Sequence, residues 1–423
     1  APRWGEGRLV RAVRVSLLDR GRAAGFGECA IVRRAPPAEQ RACRICLEGE
    51  GVDLLDGACA CRGSQRYICT ECLIKNWSSK AQTLRDKASF KCGVCHQAFT
   101  GRAAALLAAD LKSDVKRHED TVVCPSPKEE LDRIKADIVV ATERWRAGAF
   151  AEAAAGFNRS IGRLAALGGV GEPLTLRLSA EHNLALVLHA QGRPAEARVH
   201  VLNARSGFEE AFGPAHVLTL KAGHNEAMIA DAAGETEEAR AAYETVVGLR
   251  CEVLGPDHVD TLKSRCNLGW VLLRQGEAQK AEETLRPTLA GLERVVGREH
   301  TLSTTVLQNL SLALCRRCRL EGRPVSLEAQ ELAREAAEGR QRHNGPDHPD
   351  TMEALRDLAD VQAACGRAAE AEATMRQALS GLERILGFEH KTTKDVLLRL
   401  HGMLQSQGDG QAAAALLREH RGG

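Results

Sequence analysis

Over most of the chain the apolar positions fall three and four residues apart, the spacing that lines one face of a helix. Asp260 to Arg274 carries Leu262, Cys266, Gly269 and Leu273 on such a face, and Lys280 to Leu292 carries Ala281, Leu285 and Leu292 on another. Between them "QGEAQ" holds Gly276, a helix breaker, so two helices joined by a tight turn are predicted. Small Gly269 is expected to face small Ala281 where the helices cross.

This unit repeats. Asn183, Asn225, Asn267 and Asn309 recur every 42 residues, and after one 48-residue step the register resumes at Asp357 and Arg399. Gly213, Gly255, Gly297, Gly345 and Gly387 keep a second register, opening "GPAH", "GPDH", "GREH", "GPDH" and "GFEH". A helix pair repeated at fixed period buries its apolar face only by stacking, so residues 129–423 are expected to form an α-solenoid of about seven helix pairs. The Gly of each opening ends the preceding helix, and the Asp is expected to accept amide protons of the next. The His, recurring once per unit, reads as a stacking feature and not as a catalytic group. The extra residues near "LEGRPVSLEAQ" lengthen a loop or helix end.

Composition narrows the class. Apolar residues reach 44%, yet aromatic residues are only 3% and Ala, Leu, Arg and Glu dominate, a balance that suits stacked helices and excludes an all-β fold. Lys plus Arg number 58 against 56 acids, a net charge of +2 that gives no global field for nucleic acid. No apolar run is long enough for a membrane span, and the expectation is a soluble protein of cytoplasm or nucleus. Residues 1–40 form an Arg-rich extension without a continuous apolar signal segment, and residues 102–128 are expected to be a linker.

Of 15 cysteines, eight fall between Cys43 and Cys95. They read C-x2-C (Cys43, Cys46), C-x-C (Cys59, Cys61), C-x2-C (Cys69, Cys72) and C-x2-C (Cys92, Cys95). Four pairs supply the thiolates that two tetrahedral Zn2+ ions need, and so short a segment with few large apolar residues needs metal as its core.

The order "CRICLEG", "CACRGSQRYICTECL" and "FKCGVCHQAF" over residues 41–101 resembles the RING-CH (RING-variant) family of ubiquitin ligases. The family's fifth ligand is usually His and here is Cys69. The resemblance implies a cross-braced domain in which Cys43, Cys46, Cys69 and Cys72 hold one ion and Cys59, Cys61, Cys92 and Cys95 the other. It also implies that a ubiquitin-conjugating enzyme docks on Ile45 and on Trp77, the exposed aromatic of the helix after Cys72. His96 then stands where many active members place a cation that contacts ubiquitin.

The 42-residue unit, with "NLA"-like centres and "GPDHxxTL" openings, resembles the tetratricopeptide repeats of kinesin light chains. That resemblance implies a superhelix whose first helices line a groove for extended peptides. The groove residues expected from the Asn register are His182, Asn183, Lys221, Asn225, Lys263, Asn267, Trp270 and Asn309, an amide ladder with cations and one large aromatic. The fold class expected is therefore mainly α, a small two-zinc domain followed by the solenoid. The function expected is a RING-type ubiquitin ligase, without a covalent intermediate, that captures peptide or protein substrates in the groove. The rival is a non-catalytic zinc-binding adaptor.

Overall fold

The computed structural model describes residues 42–419, apart from residues 47, 49–51, 60, 62–66, 81–83, 85–89, 93–94, 96 and 122–124. The N-terminal extension and His96 lie outside the described residues. Two short strands, β1 (Leu54–Leu55) and β2 (Ile68–Cys69), pair antiparallel with Leu54 opposite Cys69. Helix α1 (Thr70–Lys80) follows β2 directly, and α2 (Gly101–Thr121) follows the last cysteine pair.

The stretch expected as a linker is thus mostly helix. Its sequence is rich in Ala and Leu, and Leu107, Leu111 and Val115, four residues apart, are all buried. They join one apolar cluster with Cys43, Ile68, Leu73, Phe90, Cys92 and Phe99 on one side and Ala136 and Val140 on the other. The cysteine-rich module and the helical array therefore share a core through α2.

The array comprises α3 (Pro127–Arg146), α4 (Phe150–Leu167), α5 (Glu172–Ala190), α6 (Pro194–Phe212), α7 (Val217–Ala233), α8 (Thr236–Val253), α9 (Val259–Arg274) and α10 (Ala278–Val295). It continues through α11 (Thr301–Leu320), α12 (Leu327–Asn344), α13 (Pro349–Ala364), α14 (Ala368–Leu386), α15 (Lys391–Ser406) and α16 (Gly410–Glu419). A capping box starts it: Ser126 accepts the amide of Glu129, whose carboxylate accepts the amide of Ser126. Each helix packs on the next, and the first helices of successive pairs, α3, α5, α7, α9, α11 and α13, also touch one another in sequence. This second set of contacts makes α3, α5, α7, α9, α11 and α13 one continuous layer, as a curved stack requires of its inner row.

The repeated openings fold differently from the expectation in one respect: the cap is His, not Asp. The imidazole Nδ1 of His216, His258, His300, His348 and His390 accepts the backbone N–H two residues on, at 3.3, 3.1, 3.1, 3.2 and 3.3 Å. The hydroxyl three residues after each His closes the turn, as Thr261 does by donating to the Gly255 carbonyl at 2.9 Å. Gly255 sits at φ +95°, a conformation that L side chains rarely adopt. Asp257 is left to pair with Arg294 of α10 at 2.8 Å, tying the opening to the second helix.

The nearest neighbour of Gly269 across the pair is Leu285: a Cβ on Gly269 would lie 2.5 Å from Leu285 Cδ2. The small residue admits a large neighbour across the pair. In the fourth regular unit α11 runs 20 residues where α9 runs 16, and the connection to α12 is longer too, so both a helix end and a loop absorb the added length.

Candidate metal centres and repeat groove

Two chain turns of the same design present the outer cysteine pairs. The Cys43 amide donates to Glu48 O at 2.8 Å, and the Cys92 amide donates to Gln97 O at 2.8 Å, so both pairs carry the same backbone closure five residues on. Strand β2 and the first turn of α1 present Cys69 and Cys72. The eight sulfurs gather into two sets, Cys43, Cys46, Cys69 and Cys72, and Cys59, Cys61, Cys92 and Cys95, each with all ligand atoms within 4.8 Å of one another.

The spacing fits the ion. Sulfurs about 2.3 Å from a tetrahedral centre lie about 3.8 Å apart. Cys46 and Cys69 are 3.8 Å apart, and so are Cys61 and Cys92. Burial pushes the Cys59 thiol up to about 12 and also raises Cys72, whereas at Cys43 burial is outweighed by backbone hydrogen bonds that bring the thiol down to about 6. A divalent cation bound in either set would hold its sulfurs as thiolates at neutral pH.

The docking residues divide. Ile45, between two ligands, is 46% exposed. Trp77 is not the exposed anchor expected. Its ring meets Phe90 and Phe99 edge-on, with centroids 5.8 and 6.4 Å away, because it lies one helical turn after buried Leu73 and shares its face.

The groove stripe is partly surface and partly joinery. Lys221, Lys263 and Trp270 are exposed on α7 and α9, and Asn183, Asn225 and Asn267 are half-buried. His182 and Asn309 are buried. The reason lies in cross-repeat bonds: Asn225 Nδ2 is 2.9 Å from His182 Nε2, Asn267 Nδ2 donates to Tyr243 Oη at 3.0 Å, and Asn309 Nδ2 approaches Cys266 Sγ at 3.8 Å. These amides hold neighbouring helices in register.

Between α7 and α9 lies a cleft of about 290 Å3 lined by Lys221, His224, Asn225, Arg250, Asp260 and Lys263, among others. Sequence reasoning missed Arg250, which comes from α8. It is 5% exposed and donates to Asp260 O and Ser264 Oγ, both at 2.7 Å. Its charge meets neutral acceptors there, and among the described residues neither Lys221 nor Lys263 has a carboxylate within ion-pair distance.

Burial, aided by Lys221, lowers His182 to about 4, and burial with Arg250 and Lys263 lowers His224 to about 3. On acidification the unfolded chain takes up these protons first, so their contribution to stability is complete above about 6.5 and drains away as pH falls toward 3. The melting temperature, followed by circular dichroism, is expected to fall across that window, and His224→Gln should flatten the slope.

Two tetratricopeptide-repeat family models match the chain, one over residues 176–252 and 326–384 and the other over residues 261–302. Comparison with curated proteins finds no match. Among solved structures, the apo quorum sensor NprR from B. thuringiensis superposes with a TM-score of 0.53 at 15% identity, covering 74% of this chain and 81% of its own. The Rap conjugation gene regulator of the plasmid pLS20, in complex with the Phr* peptide, gives 0.51 at 12% identity over 83% of this chain and 93% of its own. Kinesin-light-chain TPR-like repeats of Podosopora anserina give 0.42 at 22% identity over 51% of this chain and 98% of theirs. No helix of the described residues is long and apolar enough to cross a membrane. The period, the helix pairs and the matched models together establish that the chain carries a solenoid of tetratricopeptide repeats.

Proposed function

We propose that the chain is a RING-type ubiquitin ligase in which two zinc ions shape a docking module and the repeat groove captures substrate. The observation that carries the reading is the interleaved pairing of the cysteines: first pair with third, second with fourth. This is the cross-brace that the RING-CH resemblance implies. Such a ligase holds a charged conjugating enzyme in a reactive arrangement, so its chemistry is positioning. Ile45 is the apolar side chain the module offers to that partner, and ubiquitin is carried by it. Substrate then binds across α7 and α9, where Lys221 and Lys263 favour acidic segments and Trp270 offers an apolar contact. The Rap regulator that holds a peptide has the same class of fold, which supports a peptide as occupant. A ligand held there raises the effective concentration of its lysines near the thioester.

Ubiquitin-chain formation by the purified full chain with a panel of conjugating enzymes tests this. Ile45→Ala is expected to lower transfer about tenfold or more while both zincs stay bound, since a desolvated anchor typically contributes about 2 kcal/mol. The second reading, a non-catalytic adaptor, is favoured by one observation, the inward packing of Trp77. A chain inert with every conjugating enzyme, yet able to bind peptide, belongs to that second class.

A further inference from the structure

The Cys43–Cys46 turn carries Arg44 between two ligands of the first sulfur set, but the side chain serves the second. Its Nη1 lies 3.3 Å from Cys61 Sγ and 4.0 Å from Cys59 Sγ, and its Nη2 lies 3.4 Å from Cys92 Sγ. One guanidinium thus donates to three of the four thiols of one centre. The first set receives backbone donors of a different kind, the Ile45 amide on Cys43 Sγ and the Cys72 amide on Cys69 Sγ, each at 3.4 Å. The turn that aims Arg44 is itself fixed, by the Cys43 amide on Glu48 O at 2.8 Å and the Arg44 amide on Tyr67 O at 3.0 Å.

We propose that Arg44 is the positioning cation of the second metal centre, holding its thiolates against loss of the ion. The proposal rests on the reading of both sulfur sets as zinc centres. A zinc ion with four thiolates carries net negative charge in a partly desolvated site, and a guanidinium in contact offsets part of it. Charge-assisted N–H···S bonds also fix the direction of the sulfur lone pairs, and outer partners of this kind typically govern metal affinity about 10- to 100-fold. Because the cation is delivered by the ligand turn of the first centre, order in that turn is built into the second.

The test uses the full chain. Zinc content is measured first, then the rate at which each equivalent passes to a chromophoric chelator. Iodoacetamide trapping with mass-spectrometric mapping assigns each equivalent to the cysteines it exposes. Arg44→Ala is expected to speed release from Cys59, Cys61, Cys92 and Cys95 about tenfold or more while release from the other centre changes less than about twofold. Arg44→Lys, which keeps the charge but not the fork, should recover part of the difference. A zinc content below two in the wild type overturns the metal reading itself. Two zincs with an unchanged second centre in Arg44→Ala overturn the role given to Arg44 alone, and equal acceleration of both centres overturns it too, as loss of the fold around them.

Discussion

Stripping zinc is expected to unfold the segment from Cys43 to Phe99 and loosen α2, while α3 to α16 keep most of the helical circular-dichroism signal. The module has few apolar side chains of its own, and its cluster is built on Cys43, Cys69 and Cys92, whose sulfurs are no longer tied together once the ions leave. Structural zinc typically contributes about 10–16 kcal/mol, far above what the small core could replace. The effect does not stop at the last cysteine, since α2 rests on Phe90 and Phe99 on one side and on Ala136 and Val140 of α3 on the other. Chelation removes the first support and leaves the second. Hydrogen exchange should show protection lost through Leu107 and Leu111 and retained through α9 to α13, with two zincs released per chain. Loss of the whole helical signal, or one zinc per chain, is the result that sinks this account.

That shared core was legible in part. "GRAAALLAADLKSDV" already places Leu107, Leu111 and Val115 on one helical face, so the signal for α2 stands in the sequence, next to the turn residues of "CPSP" that read as a linker. The solenoid was readable because a 42-residue period in two registers leaves little freedom of fold. The sulfur pairing followed only from resemblance, since spacing alone does not say which pairs share an ion.

Three features needed coordinates. A His cap depends on an extended backbone at His258 and on the imidazole tautomer, neither of which a residue name carries; the clue was Thr or Ser recurring three residues later, at Thr219, Thr261, Ser303, Thr351 and Thr393. Trp77 turned inward because its face is set by Leu73 one turn earlier, a periodicity argument that its aromatic character obscured. The Asn ladder serves the array, since an amide at a helix–helix seam finds its neighbour before any ligand arrives.

Replacing Lys221 and Lys263 together by Glu is expected to weaken binding of an acidic, aromatic-containing peptide at least about tenfold, which corresponds to about 1.4 kcal/mol. The two ammonium groups stand on adjacent inner helices and line the cleft with a buried guanidinium that donates to two backbone carbonyls and a hydroxyl. Reversing both charges puts two carboxylates where the field of Arg250, Lys221 and Lys263 had drawn one in. Stability should change little, because both lysines are exposed and neither has a carboxylate partner among the described residues. Asn225→Ala with Asn267→Ala makes the instructive contrast: it removes the bonds to His182 and Tyr243, so it should lower the melting temperature as well as affinity. Trp270→Ala, truncating an exposed aromatic 36% open to solvent, should cost affinity with almost no change in melting. Fluorescence anisotropy at several salt concentrations separates these cases, since only the lysine changes should reduce the salt dependence. If the charge-reversed chain binds acidic and neutral peptides as tightly as the wild type, the inner face of α7 and α9 is not the peptide seat.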